Sequence, residues 1–201
     1  MKIQRATPAR WAAISCAVFI TMVTSLGCLS TAGVGPYADA PLRTVGSVDL
    51  ERFAGLWYVI ESMPTSAEAG AHDATERYRL LENGRIDIEF RFLEDSFDGP
   101  EKILPMVGWV HDESTRAEWR VRPFWPVRLA YLILEIGPDY DYTVIGHPSK
   151  RYVWIMARQP SLDATTLEAI RSRLEAVGYD VEQIQAVPQR PLSQRPAPQS
   201  R

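Results

Sequence analysis

The chain has 201 residues, of which 46% are hydrophobic and 23% charged, and its formal net charge is −3. Three positive charges before Cys28 and three from Arg190 onward occur without acidic residues, so the segment between them carries about −9. Nucleic acid is therefore an unfavourable partner. The length of this segment suits one domain that can bury its own core.

The N-terminus has the pattern of an export signal. Lys2, Arg5 and Arg10 precede an apolar stretch from Trp11 to Leu26. This stretch is too short and too early for a stable membrane-spanning helix, but it is typical of the apolar region of a signal peptide. We predict that residues 1–27 are a signal peptide and that the protein is exported.

The signal peptide ends at Leu26-Gly27-Cys28, which is similar to a bacterial lipobox, although Ser25 stands where Leu is expected. We predict that Cys28 becomes a lipid-modified N-terminus and that residues 28–48 form a flexible tether. Ser30-Thr31-Ala32 is also acceptable as an ordinary cleavage site, which would give a soluble periplasmic or secreted protein. The other cysteine, Cys16, lies in the leader, so no disulfide is expected in the mature chain.

From residue 49 the pattern predicts a single antiparallel β-domain extending to residue 189. A helical turn at Asp49–Ala54 precedes short segments separated by turn signals, which favours an antiparallel barrel over βαβ units. The predicted strands are Leu56–Met63, His72–Leu80, Arg85–Leu93, Ile103–His111, Arg116–Arg122, Leu129–Ile136, Tyr140–His147 and Tyr152–Arg158. The sixth strand is apolar on both faces, so its outer face needs a cover, and a homodimer is one explanation.

A helix and a short strand follow the eight strands. Ser161 or Asp163 can cap the helix, apolar residues recur at helical spacing, and Gly178 ends it. We expect the helix to pack outside the barrel on Val153, Ile155 and Ala157. A final strand at Val181–Val187 should lie beside the first, and the proline-rich residues 190–201 are predicted to be disordered.

Two distant segments indicate how the barrel closes. Gly55 and Trp57 open the first strand, and Arg158 ends the eighth, where a guanidinium can stack on the indole. With Asp139–Gly146 between them, these segments resemble the motifs of the lipocalins, although Pro138 replaces the usual Thr. The resemblance runs from Phe53 to Pro188 and is nearest to bacterial outer-membrane lipocalins, plant temperature-induced lipocalins and apolipoprotein D. It implies an all-β, eight-stranded up-and-down barrel with one C-terminal α-helix.

The alternation of residues along the strands predicts which side chains face the barrel interior. The predicted ligand-binding residues are Val59, Glu61, Tyr78, Ile88, Phe90, Trp119, Val121, Tyr142, Trp154 and Met156. This wall and the family resemblance imply a carrier, without cofactor, that binds a fatty acid or a lysophospholipid. With a lipid on Cys28, the protein would face the periplasm from the bacterial outer membrane.

Two alternatives come from the same interior. Glu61 and Glu76 are predicted to face each other, and a buried carboxyl pair can perform acid–base chemistry on a lipid or isoprenoid. A filled barrel would instead be a structural envelope lipoprotein. His72, His111 and His147 lack metal-ligand spacing, so no metal site is predicted.

One loop at the predicted barrel mouth has two interpretations. Phe124 and Trp125 lie between prolines, with Arg122 and Arg128 beside them, and Lys150 and Arg151 follow on another rim loop. Aromatic and cationic side chains together suit a membrane interface with anionic headgroups. Alternatively, the two aromatic side chains fold inward as a lid over the ligand.

Overall fold

The computed structural model describes residues 41–195. These residues form an antiparallel β-barrel with one long helix outside it. In chain order the elements are α1 (Leu50–Phe53), β1 (Gly55–Met63), β2 (Ala71–Leu80), β3 (Arg85–Glu94), β4 (Glu101–Val110), β5 (Glu118–Arg122), β6 (Leu129–Ile136), β7 (Tyr142–Gly146), β8 (Val153–Ala157), α2 (Ala164–Ala176) and β9 (Gln185–Ala186). Short 3₁₀ turns at Val181–Gln183 and Leu192–Gln194 flank β9.

The first eight strands pair in sequence order and close into the predicted barrel. β1 pairs with β2 through Gly55 and Tyr78, and with β8 through Tyr58 and Ala157. The boundaries of β1–β8 differ from the predicted ones by two residues or fewer. Turn chemistry and alternation were therefore sufficient to predict these strands.

A β-bulge interrupts the alternation of β1. Val59 pairs with Met156, but the next pair joins Glu61 to Ile155, so Ile60 is the extra residue. A bulge inserts one residue into a strand and thereby reverses which face the following side chains occupy. Val59 consequently faces the interior, whereas Glu61 faces the outer wall.

Helix α2 packs on the outer wall as predicted. Its N-cap is Asp163, whose side chain accepts a hydrogen bond of 2.8 Å from the backbone N–H of Thr166. Ile170 and Leu174 are buried in one cluster with Val153 and Ile155 of β8. Of the residues from 41 to 195, none belongs to a helix long and apolar enough to cross a membrane.

The segment directly before α1 contacts the barrel. Val45 N–H donates to the carbonyl of Ile133 at 3.0 Å, and Val48 N–H donates to that of Thr115 at 2.8 Å. Val48 is also 2% exposed. The last residues of the predicted tether therefore contact the barrel, where Val48 is buried and Val45 is partly buried. The signal peptide, Cys28 and the tether up to residue 40 lie outside the described residues.

The outer face of β6 is partly covered by other segments of the chain. Leu134 packs in the same cluster as Leu42 and Tyr179, and Leu132 is buried. A homodimer is therefore not required to explain the apolar character of this strand.

The chain returns to β1 at its C-terminus. β9 pairs with β1 through Ala186 and Glu61, where the β1–β2 ladder has already ended. Gln189 Nε2 spans the gap, donating to the carbonyls of Val59 at 2.7 Å and Ala74 at 3.0 Å. The final strand thus lies beside the first, as predicted, and Gln189 closes the seam between β1 and β2. The predicted range Val181–Val187 is wrong, because Val181–Gln183 form a 3₁₀ turn and only Gln185–Ala186 pair as a strand.

Within the segment predicted to be disordered, Arg190 and Arg195 contact the barrel. Asp73 is buried, and its carboxylate pairs with the guanidinium groups of Arg190 and Arg195. Arg195 also lies over the ring of Tyr58, with Cζ 4.7 Å from the ring centroid. A buried carboxylate needs cationic partners, which residue composition alone does not reveal. Residues 196–201 lie outside the described part of the chain.

Candidate functional site: the barrel interior

The base of the barrel is closed by a stacked Trp–Arg pair. Arg158 Cζ lies 3.7 Å from the ring centroid of Trp57, which is fully buried. Arg158 Nη2 also donates to the three carbonyls of residues 52–54, at 2.6 to 3.0 Å. One guanidinium therefore stacks on the indole and satisfies carbonyls at the end of α1.

Gly55 permits this arrangement through its backbone conformation. Its φ is +100°, a region that side chains rarely adopt. A Cβ at this position would also lie 3.4 Å from Arg158 Nη1. Glycine thus allows the chain to turn from α1 into β1 directly against the guanidinium.

An aromatic layer lies immediately above the base. The ring centroid of Phe53 is 5.3 Å from Trp57, 5.1 Å from Tyr78 and 5.2 Å from Trp119. The stacked ring of Tyr131 extends this layer, with its centroid 5.6 Å from that of Trp119. This end of the barrel is filled by side chains.

Eight of the ten predicted ligand-binding residues contribute to the interior. Seven are buried in the interior cluster, and Trp154 packs against that cluster while staying partly exposed. The seven are Val59, Tyr78, Ile88, Phe90, Trp119, Val121 and Met156. The same wall includes residues that were not predicted: Ile86, Phe92, Leu104, Met106, Tyr131, Ile133 and Ile145.

The predicted inward orientation of Glu61 is wrong. Arg171 on α2 donates from Nε to Glu61 Oε2 at 2.9 Å, which places this carboxylate on the outer wall. The bulge at Ile60 is the physical cause, because it reverses the alternation just before Glu61. The predicted facing pair of Glu61 and Glu76 is therefore not formed.

Tyr142 was also predicted to face the interior, and this is wrong. It pairs with Ala157 and packs with Leu162 and Leu167 outside the barrel. Its hydroxyl donates to Glu135 Oε1 at 2.7 Å, and burial together with this bond raises the pKa of Tyr142 to about 12. Residues that lie directly opposite each other on paired strands point to the same face of the sheet. Because Ala157 faces outward, as predicted, its partner Tyr142 must face outward too.

A polar cluster interrupts the apolar wall above the aromatic layer. Glu76 is 4% exposed, and its Oε2 accepts a hydrogen bond of 3.4 Å from the hydroxyl of Tyr131, which is also bonded to the hydroxyl of Tyr78. Burial, together with the nearby Glu68, raises the pKa of Glu76 to about 7. The Glu76 carboxyl group therefore changes between its protonated and ionised forms near neutral pH.

Glu68 joins this cluster from the loop between β1 and β2. Trp154 Nε1 donates to Glu68 Oε2 at 2.9 Å, and burial raises the pKa of Glu68 above its ordinary value. Since Trp154 belongs to the inner wall, its bond to Glu68 brings this loop over the interior. No sequence pattern predicts this contact, because Glu68 lies in a loop without periodicity.

The inward lid predicted from Phe124 and Trp125 is wrong. Their side chains are 65% and 82% exposed. The loop that bonds to the inner wall is instead the one carrying Glu68, on the opposite side of the rim in the strand order. The two aromatic residues are consequently available to a partner outside the barrel.

The three histidines are dispersed. His72 Nδ1 lies 2.9 Å from the carbonyl oxygen of Gly70, His147 Nδ1 lies 2.8 Å from the hydroxyl of Ser149, and His111 is exposed. Between residues 41 and 195 no three His, Cys, Asp or Glu side chains are arranged to hold a metal ion.

Comparison with known proteins identifies the family. Residues 48–189 match the model of the lipocalin-like domain. The chain belongs to the lipocalin family. Temperature-induced lipocalin-1 of Arabidopsis thaliana is 27% identical over 157 residues, which cover 74% of this chain and 83% of that protein. The outer membrane lipoprotein Blc of Vibrio cholerae is 23% identical over 171 residues, covering 84% and 95%.

A solved structure supports the fold assignment. Insecticyanin from the tobacco hornworm Manduca sexta has a TM-score of 0.55 and 18% sequence identity, over 73% of this chain and 83% of that one. At this identity the likeness concerns the fold alone. The lipocalin barrel described above therefore agrees with the family assigned from sequence.

Proposed function

We propose that this lipocalin is a carrier that binds one fatty acid, lysophospholipid or similar amphiphile inside its barrel. The observation that carries the proposal is an inner wall of apolar side chains from β1 to β8, sealed at the base by Trp57 and Arg158. An eight-stranded barrel is either filled by its own side chains or holds one small ligand, and an apolar wall favours a hydrocarbon chain.

The polar cluster favours one orientation of such a ligand. An anionic headgroup beside Glu68 and Glu76 would be repelled and poorly solvated. We infer that the hydrocarbon chain enters first and that the carboxylate or phosphate stays at the mouth, where water can solvate it.

We propose carriage and not catalysis because the enzyme hypothesis depended on Glu61 and Glu76 facing each other. Glu61 pairs with Arg171 on the outer wall instead. Glu76 and Glu68 remain inside, but Glu76 contacts the hydroxyl of Tyr131 and Glu68 contacts the indole N–H of Trp154. These contacts position polar groups without providing a nucleophile.

We further propose that the protein is anchored by a lipid on Cys28 at the bacterial outer membrane, facing the periplasm. The pattern of residues 1–28 supports export and lipidation. A relative that is named an outer membrane lipoprotein supports the same location, and the similarity covers 84% of this chain.

Binding can be tested with a fluorescent fatty acid. Trp154→Ala should weaken its affinity about tenfold, or about 1.4 kcal/mol, because the indole contributes apolar surface to the inner wall. Leu192→Ala is the control, because it removes an exposed apolar side chain that belongs neither to the barrel interior nor to its rim. Equal affinities in both variants and the unmodified protein would place the ligand elsewhere.

The natural ligand can be identified by mass spectrometry of lipids extracted from the purified protein. A retained fatty acid or lysophospholipid is the expected result. A protein that neither retains a lipid nor binds the fluorescent fatty acid would support the filled-barrel alternative.

The anchor has a separate test. Intact-mass measurement of protein from membranes should show acyl groups on a chain that begins at Cys28, because stable anchoring needs two or more acyl chains. A chain beginning at Gly33 in the soluble fraction would contradict the anchor and leave the carrier proposal unaffected.

A further inference from the structure

A pocket of about 390 Å³ lies on the outer wall, away from the barrel interior. Its lining contains three arginines and no acidic residue: Asn83, Gly84, Arg85, Trp109, Arg122 and Arg128. Arg85 pairs directly with Trp109 across β3 and β4, and Arg128 Cζ lies 5.4 Å from the centroid of the Trp109 ring. Three strands and two connections thus bring the cations to one place.

Neighbouring arginines on the outer wall are neutralised by carboxylates. Arg79 pairs with Asp87 at 2.5 Å, and Arg120 pairs with Glu118 at 2.7 Å. Among residues 41–195, no acidic side chain lies within ion-pair distance of Arg85, Arg122 or Arg128.

Like charges brought together without a counter-charge repel one another. A bound anion removes this cost, and an arginine guanidinium is suited to phosphate because it presents several N–H donors in a planar fork. The chemistry of the lining therefore favours a phosphate group.

Two strongly exposed aromatic side chains adjoin this pocket along the chain. Arg122 and Arg128 flank the loop that carries Phe124 and Trp125, which are 65% and 82% exposed. Binding of a soluble anion would not require exposed aromatic rings. Binding to a bilayer would use them, because Trp is favoured at the level of the lipid headgroups and Arg attracts anionic lipid surfaces.

We propose that Arg85, Arg122 and Arg128, together with Phe124 and Trp125, form a docking surface for an anionic phospholipid bilayer. A lipid phosphate occupies the arginine pocket, and the two aromatic side chains enter the interface beside it. This surface is separate from the barrel interior, so it does not depend on which ligand the barrel carries.

The test is hydrogen–deuterium exchange of the full-length protein reconstituted into vesicles. One preparation contains phosphatidylcholine alone, and the other contains equal parts of phosphatidylcholine and phosphatidylglycerol. Exchange in residues 122–129 should slow roughly threefold or more in the anionic vesicles, and added salt should reduce the effect because it screens the attraction. Because the same N-terminus is present in both preparations, the difference reports docking of this surface.

Two double variants identify the groups responsible. Arg122→Gln with Arg128→Gln should abolish the protection by anionic lipid, and Phe124→Ser with Trp125→Ser should reduce it. Arg43→Gln with Arg116→Gln is the matched control, because it removes two exposed positive charges that lie outside the arginine pocket. This control should keep the protection.

Three results would overturn the proposal. They are equal exchange in the two kinds of vesicle, protection that survives the double arginine substitution, and equal protection by inorganic phosphate in solution. The last result would assign the pocket to a soluble anion. None of these results bears on fatty-acid binding, so the docking surface and the carrier function fail or succeed independently.

Discussion

The base and the mouth of this barrel use the same residue types in opposite ways. At the base, Trp57 is fully buried beneath Arg158, whose guanidinium also bonds to backbone carbonyls. At the mouth, Trp125 is 82% exposed, and Arg122 and Arg128, which flank its loop along the chain, have no carboxylate partner among the described residues. Tryptophan with arginine therefore stabilises the fold at one end and provides a contact surface at the other.

The difference lies in how many interactions each side chain makes. A buried indole contributes apolar burial, aromatic packing and a hydrogen bond from Trp57 Nε1 to the carbonyl of Phe53 at 2.8 Å. An exposed indole contributes little of this in the isolated protein. Substitutions at the base should thus change stability, and those at the mouth should change binding.

The largest effect is expected at the base. Trp57→Ala should lower the free energy of unfolding by about 3–5 kcal/mol, because it leaves a cavity among Phe53, Tyr78 and Trp119. Urea denaturation followed by circular dichroism measures this change. A loss below about 1 kcal/mol would mean that burial of the Trp57 indole contributes little to the stability of the barrel.

Arg158→Ala is the companion variant, and it should cost less because water can solvate some of the carbonyls it leaves. The two substitutions should also couple, since Arg158 Cζ lies 3.7 Å from the Trp57 ring centroid. A double-mutant cycle should give a coupling energy of about 1 kcal/mol. Strictly additive losses would show that the stack contributes nothing.

An intermediate effect is expected at Glu76, between the two ends. Burial raises its pKa from 4.5 to about 7, so between these pH values the native state keeps a proton that the unfolded state has released. Stability therefore falls as pH rises through this range, by about 3 kcal/mol at most. Glu76→Gln should remove this loss, so its advantage over the unmodified protein should grow from pH 4.5 to pH 7.

The control for Glu76 is Glu113→Gln, which makes the same change on an exposed turn. Thermal or urea unfolding of this control should not show the growing stability advantage that is expected for Glu76→Gln between pH 4.5 and pH 7. A Glu76→Gln variant whose advantage is constant with pH would contradict the raised pKa.

The smallest effect on stability is expected at the mouth. Phe124→Ser with Trp125→Ser should change the free energy of unfolding by less than about 0.5 kcal/mol, because both side chains are exposed. The same variant should slow the transfer of a fluorescent fatty acid from anionic vesicles while leaving its affinity in solution unchanged. A loss of solution affinity would indicate that these residues contact the ligand directly.

The sequence predicted the barrel closely and the interior incompletely. Strand alternation placed Ile88, Phe90 and Trp119 inside, since each lies on a regular strand. It failed at Glu61 because an inserted residue reverses the faces, and nothing in the local sequence marks that bulge. Tyr131 was missed because β6 is apolar on both faces, which hides its alternation.

The sequence by itself determined the strand order, the position of α2 and the Trp57–Arg158 closure, because these follow from local periodicity, turn residues and one pair of motifs. Only the tertiary structure decided where Glu68 and Arg195 lie, and that Arg85 lines one pocket with Arg122 and Arg128. These contacts join segments far apart in the chain. Their geometry depends on strand register and bulges, which are set by the packing of the whole barrel and not by the identity of neighbouring residues.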